Sequence, residues 1–151
     1  MNISIGCDHS ALEMKEELIN YLKGLGIKVK DCGTFSKESC DYTDYGIKVA
    51  EDVKNGLADR GIVICYTGIG MSIIANKVKG VRCALVHSKE EAILTREHND
   101  SNCLALSAKF TSITEAKAIA DIWLQTSFSF GERHSRRIEK IKQYEEERYE
   151  L

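Results

Sequence analysis

The sequence predicts an α/β protein of the doubly wound kind, a parallel sheet with helices on both faces, and three features carry the prediction. Strand-like and helix-like segments alternate five times along the chain. The strand-like runs are short and apolar, as strands covered on both faces must be. Residues 61–77, "GIVICYTGIGMSIIANK", pass from such a run through a glycine turn into a helix, a junction that open parallel sheets place at their carboxyl edge, where ligands bind.

"NISIG" is the first strand, and "SALEMKEELINYLKGLG" an amphipathic helix with Leu12, Ile19 and Leu22 inward and Ser10 at its N-cap. "IKVKDCG" alternates as the second strand. The polar loop "TFSKESCDYTD" follows, then a helix in "YGIKVAEDVKNGL". Ile62 to Ile64 form the third strand, which ends on Cys65, and helical spacing resumes from Met71 to Lys77. "VRCALVH" is the fourth strand, "SKEEAILTREHN" the fourth helix and "CLALS" the fifth strand. "SITEAKAIADIWLQT" is a helix capped by Ser112 or Thr114. Beyond it, "SFSFGERHSRRIEKIKQYEEERYEL" is a highly charged helix whose stripe of Ile138, Ile141 and Tyr144 suits a second subunit.

A chain of 151 residues with 43% hydrophobic content makes one domain, 1–151. Its net charge of −2 gives no global field for nucleic acid or an anionic membrane surface, so any anion site must be local. The absence of a long apolar run and of a signal-like amino terminus predicts a soluble, cytoplasmic protein. Six cysteines form no CxxC pair and no zinc spacing, so no metal is expected; Cys7, Cys32, Cys83 and Cys103 lie in apolar runs and should pack as small hydrophobes.

Four clusters near strand ends and loops carry ionisable groups: "GCDHS", "ICYTGIG", "REHND" and "GERHSRR". Asp8 also suits a capping role, and His98 an imidazolium at a helix C-terminus. Arg133, His134, Arg136 and Arg137 crowd a helix start, where the dipole is already positive, which makes sense beside an anion. Gly68 and Gly70 lack the spacing of a dinucleotide fingerprint or a Walker loop, so nucleotide chemistry falls away. What remains is backbone N–H beside the Cys65 thiol, suited to a small phosphorylated substrate whose proton is moved.

These residues, with "DCGT", "DY" at 41–42, "ANK", "GVR" and "RH" with Arg137, identify the chain as resembling the type B ribose-5-phosphate isomerases and their sugar-phosphate isomerase relatives, over nearly its whole length. The resemblance implies a Rossmann-like five-stranded sheet, a homodimer or homotetramer with shared sites, and aldose–ketose interconversion without cofactor or metal. It implies that Cys65 is the base between C2 and C1, working as the thiolate that Thr67 and the next helix favour, and that Thr67, Gly68, Ile69, Gly70 and Asn99 form the anion hole. His98 would open the furanose ring and Asp8 handle hydroxyl protons. His9, Arg133 and Arg137 would hold the phosphate, with Tyr42 lining the sugar pocket and "HND" reaching over from the partner.

The chain departs from the family pattern at Tyr66, where a glycine is usual, at "DYTD" in place of Asp-Tyr-Pro, and at Lys109, where many members carry arginine near the phosphate. The expected reaction is ribose 5-phosphate to ribulose 5-phosphate. The alternatives are the same chemistry on allose 6-phosphate, galactose 6-phosphate or a tetrose phosphate, and a sugar-phosphate-binding module without turnover.

Overall fold

A computed structural model describes residues 1–149; Glu150 and Leu151, the end of the predicted last helix, lie outside them. The strands are β1 (Asn2–Cys7), β2 (Lys28–Asp31), β3 (Arg60–Cys65), β4 (Cys83–Leu85) and β5 (Cys103–Ser107). The helices are α1 (Leu12–Gly24), α2 (Tyr42–Lys54), α3 (Ile69–Ala75), α4 (Lys89–Asn99), α5 (Ile113–Gln125) and α6 (Glu132–Tyr149). All pairings are parallel, in the order β2-β1-β3-β5-β4. No helix among the described residues is long and apolar enough to cross a membrane.

Strand alternation sends side chains to two cores. Ile3, Ile5, Ile62, Ile64, Leu104 and Leu106 meet α1 and α5 on one face. Val63, Cys65, Cys103 and Ala105 meet α2 and α3 on the other, completing a three-layer sandwich. Burying the three central strands on both faces explains their unbroken apolar runs.

Local differences from the expected elements have identifiable causes. Ser10 is not the cap: Asp8 Oδ1 accepts from Ser10 N (3.1 Å) and Oγ (2.6 Å), opening a single 3₁₀ turn, His9–Ala11, before α1. Leu12 is only half-buried, while Met14 and Leu18 join Ile19 and Leu22 inside. Helix α3 starts at Ile69 rather than Met71, because Gly68 turns the chain at φ 78°. The fourth strand is shorter than residues 81–87. On the outer side of β4, Asn76 supplies both an acceptor to Cys83 N (2.8 Å) and a donor to Cys83 O (2.9 Å). Ser112 does cap α5, accepting from Glu115 N (3.1 Å).

The stripe on α6 divides. Ile138 is buried within its own chain, whereas Ile141 and Tyr144 stay exposed.

Candidate active site

At the carboxyl edge, register places Cys65 beside Ser107 of β5, and Asp8 N donates to Ile64 O (3.2 Å) across from β1. Asp8 is thus level with Cys65, their backbones roughly 5 Å apart. Gly68 combines a left-handed φ with close approach, since a Cβ there would lie 2.6 Å from Leu85 Cδ1 and 3.0 Å from the Leu106 carbonyl. Gly70 makes room for Tyr42, whose ring would be 2.7 Å from a Cβ at that position. Thr67 Oγ1 accepts from Ile69 N (3.3 Å), folding the loop back on itself. The other N–H groups of the α3 first turn have no intrahelical acceptor, as in any helix start.

His9 is oriented by the loop before α2. Its Nδ1 accepts from Cys40 N (3.2 Å), so the neutral ring carries its proton on Nε2, free to donate outward. The Cys40 thiol lies 3.8 Å from the same nitrogen. Tyr66 is half exposed, and two of the three departures from the family pattern meet there: Lys109 Nζ donates to the Tyr66 hydroxyl (3.1 Å) and sits 5.2 Å from its ring centre.

Beneath this edge, Lys15 is fully buried, yet it bonds Asp31 Oδ1 (2.6 Å) and Thr34 O (2.5 Å) and faces the Phe35 ring at 4.7 Å. It ties the loop after β2 to α1, and that loop in turn bonds β1 through Cys7 and Thr34. Burial pushes the Cys7 thiol up to about 12, although Lys15 nearby pulls the other way. Burial, then Asp52, pushes Cys32 up to about 11. The Cys83 thiol is raised as well, by its contact with Cys103 and by burial. These thiols are packing groups.

His98 and Asn99 stand at the other edge. Helix α4 runs back from the carboxyl end of β4 and ends beside Asn102, whose carbonyl accepts from Gly61 N at the amino end of β3 (2.9 Å). The length of β5, roughly 13 Å, separates that end from Cys65. His98 stacks on His134 with ring centres 4.3 Å apart. Partial desolvation, then the charges of His98, Arg133 and Arg137, holds His134 below the usual imidazole range. Arg133 and Arg137 therefore gather with His98, not with His9. A cleft of about 600 Å³ opens here, with Leu85, Leu94, His98, Asn99 and Ile141 on its wall; the Cys65 loop lines none of it.

One chain thus brings Asp8, His9, Tyr42, Cys65, Tyr66, Thr67, Gly68, Ile69, Gly70 and Lys109 to one edge. It holds His98, Asn99, Arg133 and Arg137 at the other. The expected grouping of His9 with the two arginines is not met within a single chain. Sequence reasoning gave no role to Cys40, Lys15, Arg82, Arg96 or Asp100. "GVR" and "REHND" contained the last three, but these motifs served only to carry the resemblance and to mark an ionisable cluster.

A thiol and a glycine turn on an open parallel sheet, with basic groups waiting at the opposite end, fit the aldose–ketose isomerases. The family model described as Ribose/Galactose Isomerase matches residues 3–141. Ribose-5-phosphate isomerase B of Escherichia coli is 41% identical over 97% of each chain. Among solved structures, ribose-5-phosphate isomerase B of Clostridium thermocellum superposes with a TM-score of 0.95 at 48% identity, covering 97% of this chain and 99% of that one. The Mycoplasma genitalium ribose-5-phosphate isomerase B with bound ribulose-5-phosphate gives 0.92 at 43% identity, over 97% of each. The chain belongs to the ribose/galactose isomerase family.

Proposed function

We propose that this protein interconverts ribose 5-phosphate and ribulose 5-phosphate, at sites each built from the carboxyl edge of one subunit and the His98 end of another. The observation that carries the proposal is the Cys65 junction, where a thiol, a carboxylate level with it just past the end of β1 and a backbone turn at the α3 start share the carboxyl edge of the sheet. Cys65 as thiolate takes the C2 proton; the C–H electrons form the C1–C2 double bond, and the charge moves to O1. The N–H groups of the Gly68–Gly70 turn stabilise that oxygen. The thiol then returns the proton to C1 while O2 loses its proton and O1 gains one, the transfer assigned to Asp8.

His98 opens the furanose beforehand, and His9, Arg133 and Arg137 hold the phosphate. These groups lie at opposite edges of one chain, so the same roles require a second copy. The bound ribulose-5-phosphate of the Mycoplasma genitalium relative supports the five-carbon substrate. The exposed Tyr66 ring at the mouth supports a second reading, the same chemistry on a sugar phosphate of another length.

Cys65→Ala tests the assignment. Ketose formation from ribose 5-phosphate should fall by about 10²–10⁴-fold with the fold intact. Activity within a few-fold of wild type would place the base elsewhere.

A further inference from the structure

Three consecutive backbone carbonyls follow His98, and each accepts from a guanidinium. Asn99 O accepts from Arg82 Nε (3.0 Å), Asp100 O from Arg82 Nη2 (2.9 Å) and Ser101 O from Arg96 Nη1 (2.6 Å). Asp100 caps α4 in the left-handed region, at φ 45° and ψ 47°, a conformation that a non-glycine residue seldom adopts unless its surroundings impose it. Its carboxylate bonds Arg96 Nη1 at 2.8 Å and lies 3.6 Å from Arg82 Nη2. Arg96 is 5% exposed and also donates from Nε to Thr126 O (2.9 Å). The main chain of Arg82 grips the same segment, with its N–H donating to Asn102 Oδ1 (2.8 Å) and its carbonyl accepting from Asn102 N and Cys103 N.

Ordinary helix ends are closed by their own backbone and by water. Here two arginines occupy the carbonyls of the turn that carries His98 and Asn99, while the Asn99 side chain is exposed and the His98 ring, stacked on His134, stays partly exposed on the cleft wall. Each guanidinium spans two or more acceptors at once, in a fixed planar geometry that the rotatable donors of an ammonium do not impose.

We propose that Arg82, Arg96 and Asp100 are positioning residues for His98, holding the turn in the one geometry in which its ring enters a neighbouring subunit's site. The proposal rests on the ring-opening role of His98 given above. It adds that this role depends on an arginine clamp which itself touches no substrate.

The test is Arg82→Lys, which keeps the charge and loses the fork. Its kcat on ribose 5-phosphate should fall about tenfold or more with KM nearly unchanged, because a small misplacement of a reacting group is costly. Turnover of an aldotetrose 4-phosphate, whose phosphorylated O4 cannot close a furanose ring, should stay within about twofold. Added to His98→Asn, Arg82→Lys should cause no further loss, since it acts through that ring. Additive losses, equal losses on both substrates, or no loss would overturn the clamp.

His98→Asn alone separates the two ideas. If it spares the furanose, the ring-opening role fails and the clamp falls with it; if it impairs the furanose selectively and Arg82→Lys does not, only the clamp fails. Should Arg82→Lys not fold, Asp100→Asn carries the same comparison, because asparagine tolerates the left-handed backbone. Loss of folding in both variants would mark the cluster as structural and overturn the proposal.

Discussion

The carboxyl edge of the sheet is shaped by absent side chains, and the amino edge by charge. Around Cys65, Gly68 and Gly70 bring backbone close to Leu106 and to the Tyr42 ring. Around His98 the turn is held by arginines, with Arg60 nearby, whose guanidinium burial and then Arg96 push down to about 10. The first edge offers a cradle for charge that develops during reaction. The second offers fixed cations and imidazoles for charge already present. In the proposed mechanism one substrate needs both, and within a chain the sheet holds them roughly 13 Å apart.

The sharpest way to break this comparison is to disable each edge in a different copy. Cys65→Ala and His98→Asn should each be nearly inactive on ribose 5-phosphate. Mixed in equal amounts and allowed to exchange subunits, they should recover about a quarter of wild-type activity, because half the dimers are mixed and each holds one intact site. No recovery after verified exchange would show that each site is completed within its own chain.

The role of fixed charge at the amino edge is sharpened by Arg137→Ala. Loss of a charge-assisted hydrogen bond worth about 1.5–3 kcal/mol should raise KM roughly ten- to a hundredfold. Inorganic phosphate should compete with substrate in the parent enzyme. Steady-state kinetics showing neither effect would leave the arginine as surface charge.

Tyr66 tests how far the carboxyl edge sets substrate length. Its hydroxyl holds Lys109, so Tyr66→Gly removes a ring from the mouth and frees that ammonium. The ranking of kcat/KM among four-, five- and six-carbon aldose phosphates should change by a few-fold, since extra bulk in a pocket discriminates only modestly. A uniform change across the series would exclude Tyr66 as a determinant of length.

The smallest expected effect concerns the packed thiols. Cys7 and Cys32 titrate above the ordinary value of 9.0, at about 12 and about 11. Between 9.0 and those raised values the unfolded chain has released protons that the folded one keeps. Their stabilising contribution is therefore whole below about pH 9 and declines above it. Denaturant midpoints should fall modestly between about pH 8 and about pH 10.5. A midpoint unchanged over that interval would contradict the burial of these groups.

Much of this was legible in the chain. Two-sided burial writes continuous apolar runs, so "GIVIC" and "CLALS" announced central strands, and the turn after Cys65 announced the edge where chemistry belongs. What stayed hidden was charge turned inward. Lys15 falls among the inward positions of α1, but a lysine there looks like a solvent contact until Asp31 and Thr34 O are seen beside it. Arg82 and Arg96 were likewise illegible, because their acceptors are backbone carbonyls, which every sequence has and none displays. The separation of His98 from Cys65 within the chain follows from which way α4 runs, a matter of topology that motif spacing does not encode.

Asn76 has a consequence for life in a concentrated cell. A parallel sheet ends in a row of unpaired peptide groups, and such a row invites another chain to add itself as the next strand. Strand β4 offers only Cys83–Leu85, and the outward N–H and carbonyl of Cys83 are already occupied by the two ends of one side-chain amide. Asn76 imitates a neighbouring strand one residue long and then stops. The amide thus terminates the sheet, discouraging the head-on strand pairing through which crowded α/β proteins would otherwise aggregate.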